Sequence, residues 1–163
     1  MRVIRDALNL DIAKNLLKVF ATSKYAHKTQ TEESKYHPGE KYSCSYHRSG
    51  DVEKTAEFLE ASNKLVEYVS DLGATAYMHA YKMLPGDHFR VHDDTTNGVG
   101  FVYYLCDWKW DWGGLLHVEK DGRMFPLLHR FNQLVVIDKG RPHFVSVVAP
   151  YAEPRYAVVG FAR

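Results

Sequence analysis

The sequence predicts a mainly β fold with N-terminal helices: a double-stranded β-helix (jelly roll) core braced by two or more α-helices. Three observations predict it. Apolar residues recur at helical spacing up to about Gly73 and alternate with a period of two beyond it. The alternating part breaks into short runs separated by Gly, Pro, Asn and Asp. Aromatic residues make up 13% of the chain, eleven of them tyrosine, which suits a β-rich core or pocket. At 163 residues the chain is expected to be a single domain, with 1–73 as a helical support region and 74–163 as the jelly-roll core.

Asp11 to Ala21 reads as an amphipathic helix, with Ile12, Leu16, Val19 and Phe20 on one face and Asp11 as N-cap. Residues 24–50 are polar and irregular, with a turn at His37-Pro38-Gly39. Two readings of that stretch stay open: a lid, or a structural wrap with an edge strand. Asp51 to Leu72 reads as the longer helix, carrying Ala56, Leu59, Leu65, Val66 and Val69 inward, capped by Asp51 or Ser49 and closed by Gly73. Strands are expected at Thr75–Leu84, His88–His92, Val99–Cys106, Gly114–Val118, Gln133–Asp138, His143–Val148 and Arg155–Ala162.

Composition narrows the function classes. A net charge of +1 with scattered basic residues gives no electrostatic basis for nucleic-acid binding. No apolar run reaches the roughly 18 residues of a membrane span. Asp6, Asp11 and Lys14 interrupt the N-terminal stretch, so no signal peptide is read there and the expected location is cytoplasmic. Cys44 and Cys106 are too few and too separated for a disulfide framework or a zinc knuckle, and read as thiols in a reducing compartment. Nothing in the sequence specifies an oligomeric state.

The constellation with chemical content is His92-Asp93-Asp94, followed by His143 and then Arg155. Residues two apart on a strand face the same way, so His92 and Asp94 can reach one ion while Asp93 points away. His143 opens the run HFVSVV after the Gly140-Arg141-Pro142 turn, where a closed sheet can bring it beside them. Two imidazoles and one carboxylate with positions left open form the facial triad of non-haem Fe(II) oxygenases. Arg155 offers a planar fork for a carboxylate, in a pocket closed by Val145, Val147 and the Tyr104 ring.

An isolated His-x-Asp is a common tripeptide; the ordered His143 and Arg155 give it weight. Four other histidines compete as an all-imidazole zinc site: His79, His88, His117 and His129. His79 lies in a strand with Tyr77 and Tyr81 and reads as a packed core histidine. His88 shares the face of His92 but precedes it by more than about 12 Å of extended strand. His117 and His129 read as surface or strand-end residues. Trp108, Trp110 and Trp112 would share one face in a strand, and core, loop wrap and substrate platform all remain open for them. Gly113 and Gly114 suit a turn or bulge, and Gly98-Val99-Gly100 lacks the setting of a nucleotide loop. Arg90 and Arg141 flank the metal mouth, as solvated arginines or as readers of an acidic substrate group.

From about Tyr77 to Arg163 the chain resembles the 2-oxoglutarate/Fe(II)-dependent dioxygenases of the prolyl 4-hydroxylase-like family. Four blocks carry the resemblance in order: YKMLPGDHFRVHDD, FVYYLCDWKWDWGGLLHV, FNQLVVIDKGRPHFVSVV and EPRYAVVGFAR. The resemblance implies that His92, Asp94 and His143 bind Fe(II). It implies that Arg155 pairs with the distal carboxylate of 2-oxoglutarate, assisted by Tyr104, and that Tyr81 is a pocket tyrosine. It further implies oxidative decarboxylation to succinate and CO2 with hydroxylation of an unactivated C–H, dioxygen as co-reactant and ascorbate as a supporting reductant. Family halogenases carry a small residue where Asp94 stands, so Asp94 points to hydroxylation. Arg155 replaces the lysine of many collagen-type members, and Phe161 stands where some relatives carry tryptophan. The substrate implied is a prolyl residue in a peptide or protein; a free amino acid or small metabolite is the first alternative. A non-catalytic metal-binding cupin-like module is the alternative of another class.

Overall fold

The computed structural model describes residues 1–70, 76–94 and 98–163. Helix α1 (Leu10–Thr22) starts one residue before the predicted span, because Asn9 caps it: its side-chain oxygen accepts from the Asp11 amide at 2.9 Å. Ala13, Leu16 and Phe20, three and four residues apart, form its buried stripe. The second predicted helix is split. Ser49 accepts from the Val52 amide and opens a 3-10 turn at Val52–Lys54. Thr55 then caps a new helix, α2 (Ala56–Val66), by accepting from the Phe58 amide. That reset turns Phe58, Ala61 and Leu65 inward and leaves Leu59 53% exposed, against its expected core position. The predicted end at Leu72–Gly73 lies outside the described residues, as does Thr75.

Among the described residues eleven antiparallel strands curl into a half-barrel. One wing holds β1 (Arg2–Arg5), β9 (Gln133–Ile137), β6 (Val99–Tyr104), β11 (Arg155–Ala162) and β4 (Ala76–Met83), in that spatial order. The other holds β5 (His88–His92), β10 (His143–Val145), β7 (Leu116–Lys120) and β8 (Arg123–Leu127). Strand β3 (Lys41–Arg48) joins the wings: His47 and Arg48 pair with β4, while Cys44 and Ser45 pair with β5. Its hairpin partner β2 (Ala26–Glu33) is solvent-exposed along its whole length.

Strands β1, β2 and β8 carry too little apolar alternation to be predicted. β2 is a polar edge strand, and polar side chains protect such an edge. β8 contains Pro126, which an outermost strand tolerates because its free edge needs no N–H donor. Asp121 and Gly122, both at positive φ, form the two-residue turn that joins it to β7.

Alternation in β6 shows how the layers separate. Tyr103 faces the helices, in the cluster with Leu16, Phe20, Phe58 and Leu65, and donates to Asn132 Oδ1 at 2.8 Å. Tyr104 faces the barrel interior with Leu116, Val118, Val135, Ile137 and Ala157. The helices thus seal the outer face of one wing, and the inner faces of both wings enclose a cavity. Among the described residues no helix is long and apolar enough to cross a membrane. Cys44 and Cys106 are both free thiols.

Phe20 is fully buried and contacts the rings of Tyr25, Phe58 and Tyr156. Phe20→Ala should lower unfolding stability by about 3–5 kcal/mol in a denaturant titration. A loss under about 1 kcal/mol would show that the helical layer does not brace the sheet.

Candidate metal centre

Antiparallel pairing of β5 and β10 sets His143 opposite His92 and Val145 opposite Phe89. Two residues of β10 therefore span three of β5, which marks a bulge in β5. The bulge turns Phe89 and His92 both toward the cavity. It also corrects the expectation for His88, which lies along an outer groove rather than on the face of His92. There the His88 ring meets Ser43 Oγ and the Gly86 carbonyl oxygen, each at 3.1 Å.

The chain leaves β5 at His92, and Asp94 follows. Ligand atoms of His92, Asp94 and His143 all lie within 4.8 Å of one another. The Nδ1 atoms of His92 and His143 each sit at hydrogen-bond distance from the carbonyl two residues earlier, 2.7 Å to Arg90 and 2.8 Å to Arg141. A ring that donates from Nδ1 to a carbonyl leaves Nε2 as a bare lone pair. His143 Nε2 lies 3.3 Å from Asp94 Oδ2. Burial, and then the neighbouring His143, hold the His92 imidazole below its ordinary pKa, which keeps it in the ligand form. Gly100 makes room for the carboxylate: a Cβ there would stand 2.9 Å from Asp94 Oδ2.

The other competing histidines are dispersed. His92, Asp94 and His143 form the one group of metal-ligating side chains found among the described residues. His79 is half-buried, with Nδ1 3.5 Å from Glu53 Oε1. His117 stacks on Phe144. His129, expected near the surface, is fully buried.

A cavity of about 80 Å³ connects the three residues to Arg155. Tyr81, Phe89 and Phe161 line it, with Met83 and Val145. Arg155 is buried at the start of β11. Its Nη1 lies 2.9 Å from the Met83 thioether sulfur, and its Nε has no hydrogen-bond partner. The guanidinium stands 5.0 Å from the Tyr104 ring centre, and the buried Tyr104 hydroxyl is also unpaired. Burial pushes that phenol upward, so it remains a donor at neutral pH. Val147, expected to close this pocket, is 58% exposed and lies on the outer groove.

A buried guanidinium without an anion is costly. Here the guanidinium's open donor stands at one end of a cavity, and two imidazoles with a carboxylate meet at the other. The first end calls for an anion and the second for a cation.

Around this axis, Asp93 points away from the cavity and accepts from Lys35 Nζ at 2.6 Å and from the Tyr36 hydroxyl. Arg90 pairs with Glu40 at 2.5 Å and with the Lys41 carbonyl at 2.7 Å. The tip of the β2–β3 hairpin is thereby tied to the strand that carries His92. Burial, then the Asp93 hydrogen bond, push the Tyr36 phenol up to about 12. Arg141 is held by Asp138 and Glu119. The tryptophans do not share a face. Residues Trp110–Trp112 form a 3-10 turn ahead of Gly113 and Gly114, both at positive φ. Trp108 is buried, Trp112 is half-buried and Trp110 is 59% exposed. Sequence reasoning missed Met83, Phe89 and the Tyr36–Asp93 tie. Only the alternation through Tyr81 and Met83 pointed to any of them.

The family model described as the 2OG-Fe(II) oxygenase superfamily matches residues 77–163. The chain belongs to that superfamily. It is a 2-oxoglutarate-dependent dioxygenase, and its cofactors are Fe(II) and the cosubstrate 2-oxoglutarate. The two ends of the cavity fit them: two imidazoles and a carboxylate that could hold a cation, and a buried arginine lacking an anion. Solved structures of the same fold include a Pseudomonas putida prolyl-4-hydroxylase, 19% identical with a TM-score of 0.68, covering 99% of this chain and 91% of that one. A Trichoplax adhaerens prolyl hydroxylase in complex with a hypoxia inducible factor peptide fragment is 18% identical with a TM-score of 0.70, covering 98% and 81%. HygX from Streptomyces hygroscopicus, with nickel, 2-oxoglutarate and hygromycin B bound, is 10% identical with a TM-score of 0.72, covering 98% and 81%. No curated protein matches the chain by sequence.

Gly100→Ala should displace the Asp94 carboxylate. Mn(II) affinity, read by calorimetry under anaerobic conditions, should fall roughly 10- to 100-fold. Unaltered affinity would show that Asp94 is not a ligand in the geometry described.

Proposed function

We propose that this enzyme hydroxylates an unactivated aliphatic C–H, with a prolyl residue of a peptide or protein as the favoured substrate. In this reading His92, Asp94 and His143 hold Fe(II), and Arg155 with Tyr104 takes the distal carboxylate of 2-oxoglutarate. The observation that carries the assignment is the cavity with unmet cation-seeking groups at one end and an unpaired buried guanidinium at the other.

When bound, iron, 2-oxoglutarate and dioxygen supply oxidative decarboxylation to succinate and CO2, coupled to insertion of one oxygen atom into a C–H bond. The chain's own residues bind, orient and exclude water. The carbonyls of Arg90 and Arg141 fix both imidazoles with Nε2 inward. Arg155 presents two parallel N–H donors to a carboxylate, and the Tyr104 hydroxyl adds a third. Met83, Leu116, Ile137 and Val145 wall the path between the two ends with apolar atoms, which strengthens the pairing at Arg155. Tyr81, Phe89 and Phe161 present aromatic surface in the same cavity. That surface can pack against an aliphatic ring.

The prolyl assignment draws support from two structural neighbours, the Pseudomonas putida prolyl-4-hydroxylase and the peptide-bound Trichoplax adhaerens enzyme. HygX, of comparable structural similarity and holding hygromycin B, favours the second reading: a small-molecule hydroxylase.

Anaerobic addition of Fe(II) and 2-oxoglutarate should produce the weak visible charge-transfer band of their chelate. Oxygen with a panel of proline-containing peptides and free metabolites should then yield succinate in step with one candidate. Coupling to a free metabolite would replace the prolyl reading by the small-molecule one. No band and no succinate would overturn both. Arg155→Ala should weaken 2-oxoglutarate binding by about 3–5 kcal/mol, more than ~100-fold, while Mn(II) still binds. Equal 2-oxoglutarate affinity in variant and parent would remove Arg155 from its role.

A further inference from the structure

His129 is a fully buried histidine that the reaction outlined above does not use. It lies between two aromatic rings. Its imidazole is nearly parallel to the Tyr104 ring, 11° between planes and 4.1 Å between centres. The Trp108 ring lies 5.2 Å away at 28°. Trp108 is itself anchored, donating from Nε1 to the Gly113 carbonyl at 2.6 Å. Trp108, His129, Tyr104 and Arg155 therefore form one continuous run of ring contacts ending at the guanidinium.

We propose that His129 is a positioning residue for the 2-oxoglutarate pocket, acting through Tyr104. The inference rests on the reading of Arg155 and Tyr104 as the carboxylate site. A tyrosine hydroxyl lies on the axis of its ring, so ring flips leave it in place and only a swing about χ1 carries it away. A flat ring at van der Waals distance, backed by the anchored Trp108, blocks that swing. The hydroxyl is then set before the cosubstrate arrives, and less freedom is lost on binding.

The surroundings keep the imidazole uncharged. Burial, and then the positive charge of Arg155, hold it well below the ordinary histidine pKa. The Cys106 sulfur, 4.0 Å from Nε2, belongs to a thiol that burial pushes up to about 11. His129 therefore adds no second cation to compete for the carboxylate. What it contributes is shape: a rigid planar surface behind a phenol whose hydroxyl has no other partner.

The test is direct binding of 2-oxoglutarate to the Mn(II)-loaded protein under anaerobic calorimetry, with Mn(II) affinity and the ligand-free melting temperature measured alongside. His129→Leu keeps volume but loses planarity, and His129→Gln serves if the leucine variant does not fold. Either should weaken 2-oxoglutarate binding roughly three- to tenfold, with Mn(II) affinity unchanged. His129→Phe restores a flat ring and should recover binding to within roughly twofold of the parent. In a Tyr104→Ala background, His129→Leu should have no further effect. Unweakened binding in the leucine variant, a phenylalanine variant as weak as it, or the same loss without Tyr104 would each overturn the positioning role. A parent protein that binds Mn(II) but no 2-oxoglutarate would overturn this inference together with the carboxylate-site reading. Failure confined to the His129 variants leaves that reading standing.

Discussion

Two imidazole lone pairs and a carboxylate brought within 4.8 Å of one another repel unless a positive charge lies among them. Both rings are committed by their Nδ1 hydrogen bonds, so rotating one does not relieve the conflict. The fold sustains the arrangement by backbone pairing, with His143 directly opposite His92 across an antiparallel ladder. A divalent cation among them would resolve the repulsion.

The opposite imbalance sits on the facing wing. Arg155 enters the interior with an unpaired Nε and only a thioether beside Nη1. A ligand that meets both demands needs an oxygen-rich head for the cation and a carboxylate tail for the guanidinium. 2-Oxoglutarate has that shape. The two wings are separate arms of one curled sheet, joined through β3, which pairs with β4 at one end and with β5 at the other. The same β2–β3 hairpin is tied to Asp93 and Arg90, on either side of His92. The exposed hairpin tip is therefore tied to the strand that carries His92.

Much of this was legible before any coordinates. Period-two alternation in β4, β6, β9 and β11 is a local pattern that a strand converts directly into faces, and the order His92, Asp94, His143, Arg155 stands in the chain itself. What was not legible depends on tertiary structure. The β5 bulge inserts one residue and reverses the facing of His88 relative to His92, and no residue type announces it. The 3-10 turn at Trp110–Trp112, ahead of Gly113 and Gly114 at positive φ, breaks the tryptophan run that alternation would have placed on one face. His129 is buried because Tyr104 and Trp108, both distant in sequence, close over it. Thr55 splits the second helix, and a capping threonine inside an amphipathic stretch was a signal open to reading. So was Asp121-Gly122, a strong hairpin dipeptide masked by Pro126 in the strand it introduces.

The most direct measurement is a crystal structure of the protein grown anaerobically with Mn(II) and 2-oxoglutarate. The account predicts one ion bonded to Nε2 of His92, Nε2 of His143 and a carboxylate oxygen of Asp94, with the ligand's far carboxylate on Arg155 and the Tyr104 hydroxyl. An ion bound elsewhere, or a ligand whose far carboxylate avoids Arg155, would contradict it.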